Sequence, residues 1–246
     1  MIVLLLLACH HTVNLDPSRG AAPTAEQLLD ANVHASGGAR ALSAHENLRT
    51  EGSFVLAGGV MRGRITSVAV APNQIEVTMD LGPLGKAFMG YDGTVGWSVD
   101  QMTGPRLLSG RELEFMAETA DFAGPAHWRD RFLDPKVEGT VQLEGETVWK
   151  VSAKDTRGLP VTTYHRVSDG LIVGMDHLTV TAGGDVPAQA RFSDFRTVGG
   201  VLVAHELVEV MGPMRLETRL EKVEYDVPGL AVTMPADVAE LVKERR

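Results

Sequence analysis

Apolar and polar residues alternate along most of the chain, a pattern typical of β-strands. The clearest example is IEVTMDL at residues 75–81, where apolar side chains alternate with Glu, Thr and Asp. This period of two indicates a strand with one buried face and one solvated face. Similar segments follow one another from about residue 48 to residue 225, separated by turn sequences such as Gly58-Gly59 and Asp92-Gly93. They predict a meander of about eleven antiparallel strands.

Three segments have helical periodicity instead. Thr24 and Gln27 have the spacing of a capping box and precede an apolar stripe that ends near Gly37. Ser109 and Glu112 repeat that spacing before a second stripe, which runs to residue 120. A third short helix is predicted after Pro235.

This order of elements has no strand-helix-strand alternation, so an antiparallel sheet is expected. A sheet of this width curls, and the few helices must cover its apolar side. We therefore predict a mainly β (α+β) fold, a curved antiparallel half-barrel of about eleven strands with helices over the concave face.

Composition narrows the possible functions. The chain has 246 residues and a formal charge of −9, and its basic residues are scattered, so nucleic-acid binding is not expected. Cys9 is the only cysteine, which excludes an internal disulfide framework and a cysteine zinc site.

The N-terminus carries a short apolar segment, residues 2–8, that is too short to cross a bilayer. Leu6-Leu7-Ala8-Cys9 resembles a bacterial lipobox, in which the cysteine thiol is acylated and becomes the first residue of the mature chain. The resemblance implies a signal peptide at residues 1–8 and a lipidated Cys9. Residues 9–23 carry two prolines and no periodicity, so they are predicted to be a flexible tether before a single domain at 24–246. His10 after the cysteine, rather than aspartate, favours an outer-membrane anchor facing the periplasm.

Several local phrases resemble the LolA and LolB family of periplasmic lipoprotein carriers and receptors. They are the Tyr91-Asp92-Gly93 hairpin leading to Trp97, the helix bounded by Asp121-Phe122, and the stretch FSDFRTVGGVLVAH that begins at Phe192. The resemblance implies a hydrophobic cavity, between half-barrel and helices, that binds the acyl chains of lipids or lipoproteins. It implies a monomer that meets the membrane through its lipid anchor and needs no cofactor.

An apolar pocket recognises alkyl chains through buried area alone. Met116 and Trp97 are the preferred candidates, since methionine adapts to mobile ligands and Trp97 lies on the strand before the covering helix. The predicted lipid-binding residues are Ile75, Val77, Met79, Phe88, Val95, Trp97, Met116, Trp149 and Met175.

Two other classes of function stay open. His165, His177 and His205 fall on three predicted strands and could bind zinc beside a carboxylate, Asp194 or Glu206. They lack the close spacing of a metal motif, and no hydrolase or phosphate-loop motif occurs, so we expect neither a metal site nor an enzyme. The remaining alternative is a structural or assembly lipoprotein with a fully packed interior.

Overall fold

The protein is described by a computed structural model that covers residues 15–18, 20–181 and 183–244. Cys9 and the predicted signal peptide lie outside the described residues. Within them, thirteen antiparallel strands form one sheet. The strands are β1 (Asn47–Leu56), β2 (Met61–Val70), β3 (Gln74–Asp80), β4 (Lys86–Tyr91), β5 (Gly96–Asp100), β6 (Gly104–Leu107), β7 (Leu133–Leu143), β8 (Glu146–Lys154), β9 (Pro160–Arg166), β10 (Ile172–Thr181), β11 (Gly184–Val198), β12 (Val201–Met211) and β13 (Met214–Tyr225).

The sheet is two meanders joined in the middle. Its strand order is β6-β5-β4-β3-β2-β1-β13-β12-β11-β10-β9-β8-β7, so β1 pairs with β13 and the edges are β6 and β7. The helices are α1 (Ala25–Ala35), α2 (Ala39–Leu42), α3 (Gly110–Thr119), α4 (Trp128–Arg131) and α5 (Ala236–Glu244). The predicted mainly β half-barrel with helices is confirmed.

The two predicted capping boxes have different outcomes. At α1 the Gln27 N–H donates to Thr24 Oγ1 over 3.2 Å, and the Thr24 N–H donates to Gln27 Oε1 over 2.9 Å, as predicted. At α3 the Ser109 side chain makes no capping bond. Glu112 instead accepts two hydrogen bonds of 2.9 Å from Arg106 on β6. A charged, bidentate partner on the neighbouring strand is a stronger competitor than the helix end.

The position of α3 shows that the sheet is strongly curved. This helix packs against β4 and β5 in one half of the sheet and against β10 in the other. In a flat sheet β4 and β10 would be about 34 Å apart, seven strand spacings. A helix of 10 residues is only about 15 Å long. The sheet must therefore bend around α3, and the side that carries α3 is called the inner face below.

The inner and outer faces differ sharply in polarity. Directly paired residues point to the same side of a sheet, so the register assigns each side chain to a face. The outer face of the central strands carries cross-strand ion pairs, including Arg64 with Glu221 at 2.7 Å and Arg219 with Glu206 at 2.8 Å. The inner face of the same strands is mainly apolar, and its polar residues include Thr50, hydrogen-bonded to Ser67, and Thr218.

Some elements were not predicted. Residues 102–107 and 124–134 have no strand or helix periodicity in the sequence, but they contain β6, α4 and the start of β7. The Asp92-Gly93 sequence is typical of a two-residue turn with positive φ at both positions. Only Gly93 has positive φ, and Asp92 instead accepts hydrogen bonds from the N–H groups of Thr94 and Val95. The turn is therefore longer, and β5 begins at Gly96.

The best-packed core lies between α1 and strands β7 to β9. Leu28 and Val151 are almost completely buried there, and the Trp149 indole N–H donates to the Leu15 carbonyl over 2.7 Å. Leu15 belongs to the segment predicted as a tether, so the chain is already docked on the domain at that point. Fully packed apolar contacts of this kind account for much of a domain's stability.

His165 lies at the bottom of this core, and its burial is expected to make the stability of the protein depend on pH. It is fully buried, its Nδ1 lies 2.9 Å from the Gly170 carbonyl oxygen, and burial lowers its pKa to about 4. A pKa below the unfolded value of about 6.5 gives stability that is complete above pH 6.5 and is lost as the pH falls towards 4. We expect this group to account for about 3 kcal/mol of that loss.

The measurement is the free energy of unfolding at several pH values between 7.5 and 4. His165→Asn, which keeps a donor for the Gly170 carbonyl, should show a shallower pH dependence than the wild type. His34→Asn, at an exposed histidine on α1, is the matched control. Equal slopes for the wild type and His165→Asn would contradict the assignment.

Candidate functional site

The inner face of the central strands forms a wide apolar wall. Along one row of the register, Leu216 on β13 pairs with Glu209 on β12, which pairs with Ala190 on β11, which pairs with Met175 on β10. Most large apolar residues of the wall are only half-buried, so they are not filling a closed core. They are Ile65, Val77, Met79, Phe192, Met175, Leu207, Met211, Leu216 and Leu220.

Helix α3 lies over one part of this wall. Leu113 fits against Gly96 on β5 so closely that an added Cβ there would lie 2.9 Å from Leu113 Cδ1. Met116 is one turn further along the same side of α3 and is half-buried. The wall, with α3 above it, is a groove whose lining can contact an elongated apolar molecule.

Five of the predicted lipid-binding residues lie on this groove. Ile75, Val77 and Met79 share the inner face of β3, Met175 lies on the inner face of β10, and Met116 lies on α3. All five are half-buried, which leaves part of each side chain accessible to a ligand.

The other four predicted residues lie elsewhere, so we remove them from the site. Phe88 pairs with Thr78, and Trp97 pairs with Gly90, which places both on the outer face. Trp149 is packed in the core under α1. Val95 lies in the turn before β5 rather than within a strand.

A carboxylate on the groove was missed. Glu209 projects from the inner face of β12, opposite Leu216 and Ala190. In the sequence, Glu209 lies two residues from both Leu207 and Met211, so strand alternation places it on the same face as these two apolar residues. The alternation does not show which of the two faces is buried, because Val208 and Val210 make the other face of the strand equally apolar.

A cluster of charged residues at the C-terminal end of α3 was also missed. Arg157, in the turn after β8, pairs with Asp155 and lies 3.5 Å from Glu118 of α3. Arg131 approaches Glu118 from the other side at 4.0 Å. Burial raises the pKa of Glu118, although the two guanidinium groups oppose that shift. Together with the pair of Arg106 and Glu112, this cluster fastens both ends of α3.

The three histidines considered for zinc do not converge. His165 contacts Gly170 and Thr163 under α1, and His205 is hydrogen-bonded to the Val203 carbonyl. His177 lies on the inner face of β10, where burial lowers its pKa. In the part of the chain that the structure describes, no group of three or more His, Cys, Asp or Glu residues is placed to hold a metal ion.

An open cleft of about 500 Å³ lies at one end of the sheet, away from the groove. His45 stacks on Tyr225 there, with 4.1 Å between ring centroids, and hydrogen-bonds Asp226 and the Gly199 carbonyl. The hydrogen bond to Asp226 raises the pKa of His45. Both ring nitrogens have protein partners, so this cluster fastens β13 to the preceding segments and is not a candidate site.

No helix among the described residues is long and apolar enough to span a bilayer. No family model matches the sequence, and no curated protein does either. Solved structures do match over most of the chain.

A DUF1329 family protein from Desulfovibrio piger is 13% identical, with a TM-score of 0.58, 84% of this chain covered and 95% of that one. An outer membrane lipoprotein-sorting protein domain from Vibrio parahaemolyticus is 11% identical, with a TM-score of 0.55 and coverage of 89% and 98%. A LolA superfamily protein from Nitrosomonas europaea is 10% identical, with a TM-score of 0.53 and coverage of 88% and 97%. The chain therefore adopts the LolA-like fold.

Proposed function

We propose that this protein is a bacterial envelope lipoprotein that binds the acyl chains of a lipid or lipoprotein on its inner face for transport to the outer membrane. It acts without catalysis, as a monomer, and is held to the outer membrane on the periplasmic side through acylated Cys9. The observation that carries the proposal is the apolar wall of half-buried residues on the inner face of the central strands, whose outer face carries ion pairs.

The physical argument concerns exposed apolar area. Soluble proteins rarely leave a contiguous apolar surface of this kind uncovered unless it binds something. Removing such a surface from water contributes on the order of 25 cal/mol per Å². Long alkyl chains provide apolar area without polar groups that would need partners. The similarity in fold to a lipoprotein-sorting domain supports the same class of ligand.

The direct experiment is native mass spectrometry with lipid extraction on the full-length protein purified from its bacterial membranes. It reads two masses separately, that of covalent acyl groups on Cys9 and that of noncovalently bound lipid or lipoprotein. We expect both. A protein that carries no bound acyl compound and takes none up from added lipid would favour the structural or assembly alternative.

A substitution on the groove tests the location of binding. Val77→Lys places a cation on the inner wall, and its desolvation opposes ligand burial, so acyl-chain affinity should fall about tenfold. The neighbouring Thr78→Lys points to the outer face of the same strand and serves as the matched control. Affinity is measured by titration with a fluorescent acyl probe. Equal affinities for the two variants would place binding somewhere other than the inner face.

A further inference from the structure

Glu209 puts a carboxyl group on the apolar inner wall. Its cross-strand neighbours are Leu216 and Ala190, and its neighbours on the same side of β12 are Leu207 and Met211. All four are apolar. The side chain is half-buried, so it is reachable from the groove.

Glu209 has no hydrogen bond and no ion pair with any residue that the structure describes. Glu206, three residues earlier on the outer face, is instead paired with Arg219 at 2.8 Å and accepts a hydrogen bond from Ser193. The pKa of Glu209 is raised by burial alone, with no contribution from a nearby charge. A carboxylate placed among apolar groups without a partner is costly, and nothing in the fold compensates for it.

The other groups near the inner face that can carry a positive charge have partners or are buried. His205, which shares the inner face of β12 with Glu209, has its Nδ1 3.0 Å from the Val203 carbonyl oxygen. Arg106 is bound to Glu112 at the start of α3, and Arg157 is bound to Asp155 at its end. His177, on β10, has its pKa lowered by burial and is neutral at pH 7. The described residues therefore provide no cation for Glu209.

We propose that Glu209 binds the ammonium group of an amphiphile whose alkyl chain lies on the inner wall. This inference rests on the function proposed above and specifies its ligand class, a long-chain compound with a primary amine. An ammonium group supplies both the missing charge and hydrogen-bond donors to the carboxylate. From β12 to β3 the wall extends over four strand spacings, about 19 Å, which accommodates a long alkyl chain lying across the strands.

The test compares three probes with the same alkyl length, namely dodecylammonium, laurate and the neutral 1-lauroylglycerol. Each is measured on the full chain, below its aggregation concentration, by competition with a neutral fluorescent acyl probe. At pH 7.5 we expect dodecylammonium to bind at least tenfold more tightly than laurate. Glu209→Gln should bring the two affinities within about twofold of each other. Glu206→Gln, on the outer face of the same strand, should preserve the wild-type preference.

The pH dependence gives a second readout. The amine stays protonated at acidic and neutral pH, whereas Glu209 loses its proton as the pH rises through its raised pKa. Dodecylammonium binding to the wild type should therefore strengthen with pH, and binding to Glu209→Gln should not change.

The outcomes separate the two proposals. If 1-lauroylglycerol and laurate bind but dodecylammonium has no advantage, or if its advantage survives Glu209→Gln, the role of Glu209 is overturned and the acyl-binding function stands. If none of the three probes binds, both proposals fail.

Discussion

Replacing Trp97 by alanine is expected to reduce the free energy of unfolding by about 3 to 5 kcal/mol while leaving acyl-chain affinity unchanged. Trp97 is completely buried, and an added Cβ at Gly90 would lie 2.5 Å from the Trp97 ring. The C-terminal segment crosses the same outer face, where the Thr233 N–H donates to Glu76 and α5 packs against β6. Shortening the Trp97 side chain to alanine would leave a large cavity between the sheet and the C-terminal segment, on the opposite side of the sheet from the groove.

Denaturant unfolding and acyl-probe titration of the same samples measure both quantities. Trp97→Phe is the matched variant. The Trp97 indole N–H has no hydrogen-bond partner among the described residues, so phenylalanine loses volume but no hydrogen bond. It should cost clearly less stability than alanine. A large loss of acyl binding by the folded Trp97→Ala protein would return Trp97 to the ligand site.

The placement of Trp97 shows what a strand pattern does not encode. Parity along one strand correctly groups Ile75, Val77 and Met79. Whether a residue on the next strand joins that group depends on the length of the turn. Met79 pairs with Ala87 across the turn between β3 and β4, which puts Phe88 on the other face. Across the next turn Trp97 pairs with Gly90, which lies on the outer face of β4. Trp97 is therefore on the outer face, although its odd number would group it with Ile75, Val77 and Met79.

Sequence patterns gave correct predictions for elements that depend only on residues close together in the chain. The capping box of Thr24 and Gln27 is made by residues three positions apart, and the period of two in β3 reflects burial of a single face. β6 and the first half of β7 contain Gly104, Pro105 and Pro135, residues that weaken strand propensity. These segments are strands because a neighbouring strand pairs with them, and that information is not local.

The polar groups of the site could not be predicted from the sequence either, because their environment is also set by residues far away in the chain. Glu209 becomes unusual only when the register shows that its four neighbours are apolar. Arg157 lies in a turn and meets Glu118 from a helix far away in sequence. A turn arginine on its own suggests solvent exposure, so only the tertiary structure identifies it as part of the α3 attachment.

Replacing Arg157 by alanine is expected to cost about 3 to 5 kcal/mol of stability, because it removes the cation from a largely buried ion-pair cluster. Its guanidinium binds Asp155, lies 3.5 Å from Glu118, and stacks 4.9 Å from the centroid of the Phe115 ring. Without it the Asp155 carboxylate loses its cation, and Glu118 keeps only the distant Arg131. Arg157→Lys keeps the charge but not the planar stacking, and should cost less than alanine.

The pH dependence of Arg157→Ala distinguishes a lost ion pair from lost packing. Burial already raises the pKa of Glu118, and removing a nearby cation raises it further. A raised pKa means that folding is favoured when Glu118 is protonated and is disfavoured as the pH rises through that pKa. The destabilisation by Arg157→Ala should therefore be larger at pH 8 than at pH 5, and adding Glu118→Gln should recover part of it at pH 8. Equal losses at both pH values, measured by urea unfolding, would mean that Arg157 holds α3 through packing on Phe115 rather than through its charge.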